Sequence, residues 1–235
     1  MTRQRVVEPG IPHHVILRGN NRRIIASFAS DFRRLLRLMI DAVLDTGCLV
    51  LAGALLANHL HLIVTPPDEA SLPTFVRHWA QRYARRRNLA RGGSGKLFDQ
   101  RYSSKPLRDD AALAAATRYV DLNPVRAGCI TAPEAYRWST AALHLGCPNP
   151  DWPSELWHPS PWYLALADDD AARANLYRGW LDADRAGTEV ELRSADDEAH
   201  ACLHYGRRLR RPDGTRASDC ASWSRCDYSA DGTGC

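Results

Sequence analysis

At 235 residues with 45% hydrophobic side chains, the chain is long enough for one well-buried domain plus further segments, but hardly for two large domains. Its start, Thr2-Arg3-Gln4-Arg5 before Pro9-Gly10, is not the apolar run of a signal peptide, and no stretch approaches the roughly 18 uninterrupted apolar residues of a membrane span, so a cytoplasmic protein with no membrane partner is expected. The net charge of +4 hides an asymmetry, because residues 1–130 hold about twenty Arg and Lys against about ten Asp and Glu while the remainder is net acidic; the first half should face a polyanion.

Arginine supplies nearly all of that charge, with Lys96 and Lys105 the lysines. A GC-rich genome accounts for this at least as well as a need for bidentate phosphate contacts. Seven cysteines, odd in number and without an export signal, read as reduced thiols.

Residues 12–18 carry β-branched and aliphatic side chains and stop at Gly19-Asn20-Asn21, which predicts a first strand with Arg18, Arg22 and Arg23 crowded at its end. From Asp31 the apolar residues fall at Phe32, Leu35, Leu36, Met39, Ile40, Val43 and Leu44, the spacing of a helix that buries one face. Ser30 is its expected N-cap and Gly47 its expected stop. Leu49 to Leu56 and His59 to Val64, separated by Ala57-Asn58, predict two adjacent strands, and Thr65-Pro66-Pro67 closes the second.

A second amphipathic helix is expected from about Leu72 to Leu89, burying Leu72, Phe75, Val76, Trp79 and Tyr83, before the break at Gly92-Gly93-Ser94-Gly95. Residues 97–107 are a weaker strand candidate, and Asp109 or Asp110 then caps an alanine-rich helix running to about Leu122. The order of elements suits an α+β sandwich, an antiparallel sheet with helices on one face and the other face left for a ligand.

Three segments are expected: residues 1–130 as the chemical domain, 131–193 as a mainly helical or irregular C-terminal extension, and 194–235 as a disordered tail. The extension would pack through Tyr136, Trp138, Trp152, Trp157 and Trp162, with a helix over Asp170 to Leu181. The tail, with Cys202, Cys220, Cys226 and Cys235, is poor in aliphatic residues.

In a strand alternate side chains share a face, so His59 and His61 project together, roughly 7 Å apart at Cα, while Leu60, Leu62 and Val64 point into the core. Two imidazoles so placed can chelate one divalent ion, although an isolated His-x-His is also compatible with a ring that merely hydrogen-bonds at a sheet surface. Tyr119 and Asn123 lie four apart on one side of the last helix, with Arg126 nearby. A phenol with a pKa near 10 needs a phosphate already polarised by a cation before it can attack, and an amide oxygen is a reasonable further ligand for a hard ion. A core aromatic is the alternative reading of Tyr119. Pro124 biases Asn123 towards the end of the helix rather than a regular turn.

Four blocks, His-His-Val-Ile-Leu-Arg-Gly-Asn-Asn-Arg at 13–22, Asn58-His59-Leu60-His61-Leu62, Leu97-Phe98-Asp99-Gln100-Arg101-Tyr102 and Tyr119 through Gly128, resemble the REP-associated tyrosine transposases of the single-tyrosine HUH superfamily. The resemblance spans about residues 5–145. It departs from the family pattern at Ala57, where a proline is common, and after about residue 194, where the usual aliphatic ending is missing.

The resemblance implies a ferredoxin-like domain acting on single-stranded or hairpin DNA formed by repetitive extragenic palindromes, in a nucleoid-associated protein that is a monomer or a homodimer. His59 and His61, helped by Asn123, would hold Mg²⁺ or Mn²⁺. Tyr119 would attack the scissile phosphate to leave a 5′-phosphotyrosine and a free 3′-hydroxyl, reversibly and without ATP. Arg18, Arg22, Arg23, Arg85, Arg86, Arg87, Arg101 and Arg126 are the candidates for phosphate contacts. Tyr102, with Phe98 and Tyr83, could stack unpaired bases if exposed, although Tyr83 continues a core stripe. A DNA-binding module without catalysis, or hydrolysis by water at the histidine pair, would share much of this pattern.

Overall fold

The structure, a computed structural model, describes residues 6–99 and 101–191; Gln100 and the segment expected as a tail lie outside the described residues. Four strands, β1 (His13–Arg18), β2 (Leu49–Leu55), β3 (His59–Thr65) and β4 (Ser103–Pro106), form one sheet in the order β2-β3-β1-β4. Every neighbouring pair is antiparallel. Helix α1 (Ala29–Thr46) links β1 to β2 and helix α2 (Ser71–Ala90) links β3 to β4. This is the expected α+β, ferredoxin-like arrangement, with the weak strand candidate at 97–107 reduced to four residues.

Strand parity divides the sheet into two faces. Val15, Leu17, Leu60, Leu62 and Val64 pack with Phe32, Leu35, Leu36, Met39, Phe75, Trp79 and Tyr83 of α1 and α2. Complete burial of a side chain such as Phe75 or Leu62 is worth about 1.5–3 kcal/mol, so this layer holds the sheet in place. Tyr83 keeps its polar end satisfied by donating from its hydroxyl to the Ile25 carbonyl at 2.7 Å.

The start of α1 is set differently from the sequence expectation. Phe28 rather than Ser30 occupies the N-cap position, and the Asp31 carboxylate accepts from the Ser27 and Phe28 amides at 2.9 and 3.2 Å. A carboxylate that reaches back satisfies the free N–H groups and favours the positive end of the helix dipole. At the other end Gly47 adopts φ 66°, and its amide donates to the Val43 carbonyl at 2.8 Å.

Helix α3 (Asp110–Arg126) crosses the opposite face, capped by the Asp109 side chain on the Ala112 amide at 2.7 Å. Leu113 and Val120 pack there against Ala52, Ala54 and Ile63. The helix runs through Pro124 rather than stopping near Leu122. The cost of a proline inside a helix is one missing bond, yet the next turn still closes, with Ala127 donating to the Asn123 carbonyl at 2.9 Å.

Residues beyond α3 wrap the β2 edge. The Leu55 amide donates to the Trp138 carbonyl and the Thr140 amide to the Gly53 carbonyl, both at 2.9 Å. Trp152 lies so close to Gly53 that an added Cβ there would meet the indole at 2.5 Å. Short helices α4 (Ala141–His144) and α5 (Pro161–Leu164) and the long α6 (Asp170–Glu191) follow, and Tyr163, Tyr177 and Leu181 pack against Leu122 of α3. Cys48 and Cys147 are free thiols, whereas Cys129 is disulfide-bonded, which corrects the expectation that all cysteines are reduced. No helix among the described residues is long and apolar enough to cross a membrane.

Candidate active site

On the α3 side of the sheet the register sets His59 opposite Arg18, and His61 opposite Ile16. His14, on the same face of β1, lies opposite Lys105 of β4. Tyr119, Asn123 and Arg126 occupy one side of α3, since steps of four and seven residues return close to the same azimuth. The rings converge. His59 and His61 are 5.0 Å apart at their centroids, Tyr119 is 5.5 Å from His61, and His14 is 5.2 Å from His61 and 5.9 Å from Tyr119. The Arg126 guanidinium lies 4.9 Å from the Tyr119 ring centroid.

Hydrogen bonding leaves specific atoms unused. His59 Nδ1 meets Asn58 Oδ1 at 2.7 Å; an amide oxygen only accepts, so the proton sits on Nδ1 and Nε2 keeps its lone pair. His61 Nδ1 meets His14 Nε2 at 3.0 Å. Nε2 of both His59 and His61, together with Oδ1 and Nδ2 of Asn123, is buried without a hydrogen-bond partner. Unsatisfied buried polar atoms are rare in folded proteins, and several in one place point to a missing ligand.

Burial also keeps the imidazoles neutral. It lowers His59 to about 4, with Arg18 adding to the effect, and lowers His14 to about 4, with Lys105 adding. His61 falls well below its usual value, first through burial and then through the adjoining His59 and His14, since a proton on one ring disfavours a second beside it, with Arg18 adding a smaller effect. Neutral rings have lone pairs for a cation at ordinary pH.

Residues 9–123 match the model of the family described as transposase IS200-like. This segment belongs to the IS200-like transposase family.

The transposase domain so defined contains His14, His59, His61, Tyr119 and, at its last matched position, Asn123. A solved structure of a REP-associated tyrosine transposase bound to a REP hairpin is similar in fold, with a TM-score of 0.51 and 16% identity over 68% of this chain and 92% of that one. No curated protein gives a significant match.

The transposase's arginines fall into distinct groups. Arg18, Arg22, Arg23 and Arg101 are exposed near the end of β1, where the Asp99 backbone amide donates to the Arg18 carbonyl at 2.9 Å and the Arg23 guanidinium donates to the Lys96 carbonyl at 3.1 Å. Arg85 and Arg86 are exposed near the end of α2, on the helix layer behind the sheet. Arg87 is buried and donates to the Ile24 carbonyl at 2.6 Å, so it locks the turn after β1 and does not face a phosphate. Tyr102, Phe98 and Tyr83 are also buried, which removes the surface that base stacking requires.

Sequence reasoning missed His14, Asn58 and Lys105. The signal for His14 was present: alternation from Arg18 places Ile16 and His14 on the same face, with Val15 and Leu17 on the other. Its neighbour His13 is structural, bonded through Nδ1 to the Ile11 carbonyl at 2.7 Å and through Nε2 to the Glu8 amide at 3.2 Å. Lys105 gave no such signal, because its position depends on the pairing of β4.

Proposed function

We propose that this transposase nicks and rejoins single-stranded DNA through a 5′-phosphotyrosine on Tyr119. The observation that carries the reading is the convergence of the Tyr119 ring on His61, beside the unpartnered His59 Nε2, His61 Nε2 and Asn123 Oδ1. Among the described residues no three His, Cys, Asp or Glu side chains converge as a metal cage. Two imidazoles and an amide oxygen nevertheless fit Mg²⁺ or Mn²⁺ when phosphate and water complete the shell. Bound there, the ion would supply Lewis-acid polarisation of the phosphate.

The chain's own groups do the rest. The exposed Arg18, Arg22, Arg23 and Arg101 at the end of β1 hold the DNA backbone beside the site, and Lys105 adds charge on the same face. Arg85 and Arg86 extend this basic rim towards the helix layer. Arg126 lies over the Tyr119 ring and holds it in place, since a cation over an aromatic face is attracted by the ring quadrupole. Tyr119 Oη forms a bond to phosphorus as the bond to the 3′-oxygen breaks, giving a free 3′-hydroxyl. Attack by a DNA 3′-hydroxyl on the phosphotyrosine reverses the step, so the bond energy is conserved and no ATP is required.

The target we propose is a hairpin of a repetitive extragenic palindrome, supported by the hairpin-bound protein of similar fold and by the four sequence blocks. The test is incubation with a labelled single strand carrying such a hairpin in Mn²⁺, followed by denaturing electrophoresis. A covalent adduct is expected with the wild type and none with Tyr119→Phe. Cleavage that survives Tyr119→Phe would indicate attack by water, and binding without any adduct would indicate a non-catalytic hairpin-binding module.

A further inference from the structure

His14 and His61 sit on neighbouring strands with Nε2 and Nδ1 at 3.0 Å and their rings stacked at 5.2 Å. One proton lies between two nitrogens, and its placement decides what His61 can do. If His14 Nε2 donates, His61 carries its own proton on Nε2, and the atom aimed at the candidate cation site has no lone pair. If His61 Nδ1 donates, its Nε2 is a free ligand and His14 accepts through Nε2. His59 faces no such choice, because Asn58 Oδ1 only accepts.

We infer that His14 is a positioning residue that accepts the Nδ1–H of His61, and so selects the tautomer in which His61 Nε2 is presented as a ligand. The inference rests on the cation-dependent reading of the site. Nε2 of His61, like that of His59, is buried and unpartnered, so in that tautomer both rings present a free lone pair to the same place. The His14 ring also abuts Tyr119 at 5.9 Å in an edge-on contact, so the same side chain fixes the orientation of both His61 and the nucleophile. A partner on the far nitrogen of a ligating histidine commonly changes metal affinity by about 10–100-fold when removed.

His14→Phe keeps a ring in the stack and removes the acceptor, while His14→Gln offers an amide oxygen in its place. Mn²⁺ binding to the full-length protein without DNA is measured by titration, with folding checked by thermal melting. The expected result is affinity about 10–100-fold weaker for His14→Phe and largely restored for His14→Gln, with nitrogen-15 spectra of the metal-free wild type showing His61 protonated on Nδ1. Equal affinity in wild type and His14→Phe, or His61 protonated on Nε2, overturns the inference while leaving the cation site intact. Wild-type protein that does not bind Mn²⁺, or binds it as well after His61→Ala, overturns the cation reading itself and this inference with it.

Discussion

The two sides of helix α3 treat buried polar groups in opposite ways. Towards the sheet, Asn123 has both amide atoms unpartnered beside two imidazole nitrogens in the same condition. On the far side, Asp121 is equally buried, yet it accepts from Thr140 Oγ1 at 3.0 Å, Tyr177 Oη at 2.8 Å and His144 Nδ1 at 2.7 Å. Tyr163 closes the network by donating to the His144 carbonyl at 2.7 Å. Satisfied polar groups hold the extension to the helix that carries Tyr119; the unsatisfied ones are those proposed above to hold a cation. The contrast separates structure from chemistry within five consecutive residues, Tyr119 to Asn123.

The largest effect that would sharpen this contrast is Tyr119→Phe, which should eliminate the covalent DNA adduct while leaving the melting temperature nearly unchanged, because a half-buried phenol loses little beyond its hydroxyl. Next come paired substitutions on the two sides of α3. Asp121→Ala should destabilise the fold by about 3–5 kcal/mol, since it strands buried partners, and Asn123→Ala should cost no more than about 1 kcal/mol because at most a weak contact with His59 is lost. Urea unfolding measures both. The contrast breaks if Asn123→Ala proves as damaging as Asp121→Ala.

Acid should unfold the metal-free protein by way of the buried histidines on the α3 side of the sheet. His14 and His59 have folded values of about 4 against about 6.5 in the unfolded chain, so between these limits the unfolded state binds more protons. Stability is therefore full above pH 6.5 and lost as pH falls towards 4, by about 3 kcal/mol for each residue at the lower limit. Melting in a chelator between pH 7 and 4 tests this, and a flat profile would show that the rings are not held neutral. Smallest is Arg126→Ala, which removes the cation over Tyr119 and should slow adduct formation by about 3–30-fold, the equivalent of ~0.5–2 kcal/mol, with DNA affinity measured separately to isolate the rate.

Much of this was legible from the residues alone. The helix spacing from Phe32 to Val43, the stop at Gly47 and the alternation around His59 and His61 are local patterns, and local sterics and strand parity are enough to read them. Tyr119, Asn123 and Arg126 follow in the same way from the angular step of a helix. The helix continued past Pro124 because packing of Leu122 and Ala127 outweighs one missing backbone bond, something propensity cannot weigh.

Pairing between distant segments decided the remainder. His14 meets His61 across a strand pair separated by 47 positions, and Asp121 finds His144 and Tyr177 on later helices. Arg87 turned inward because the Ile24 carbonyl needed a donor there. Composition counts such an arginine as surface charge, and only the folded chain shows which polar groups are already engaged. The sequence by itself determined the elements and the face each chemical side chain shares with its near neighbours; the tertiary structure decided which faces meet, because contacts across the sheet and around α3 depend on register and packing that no local window contains.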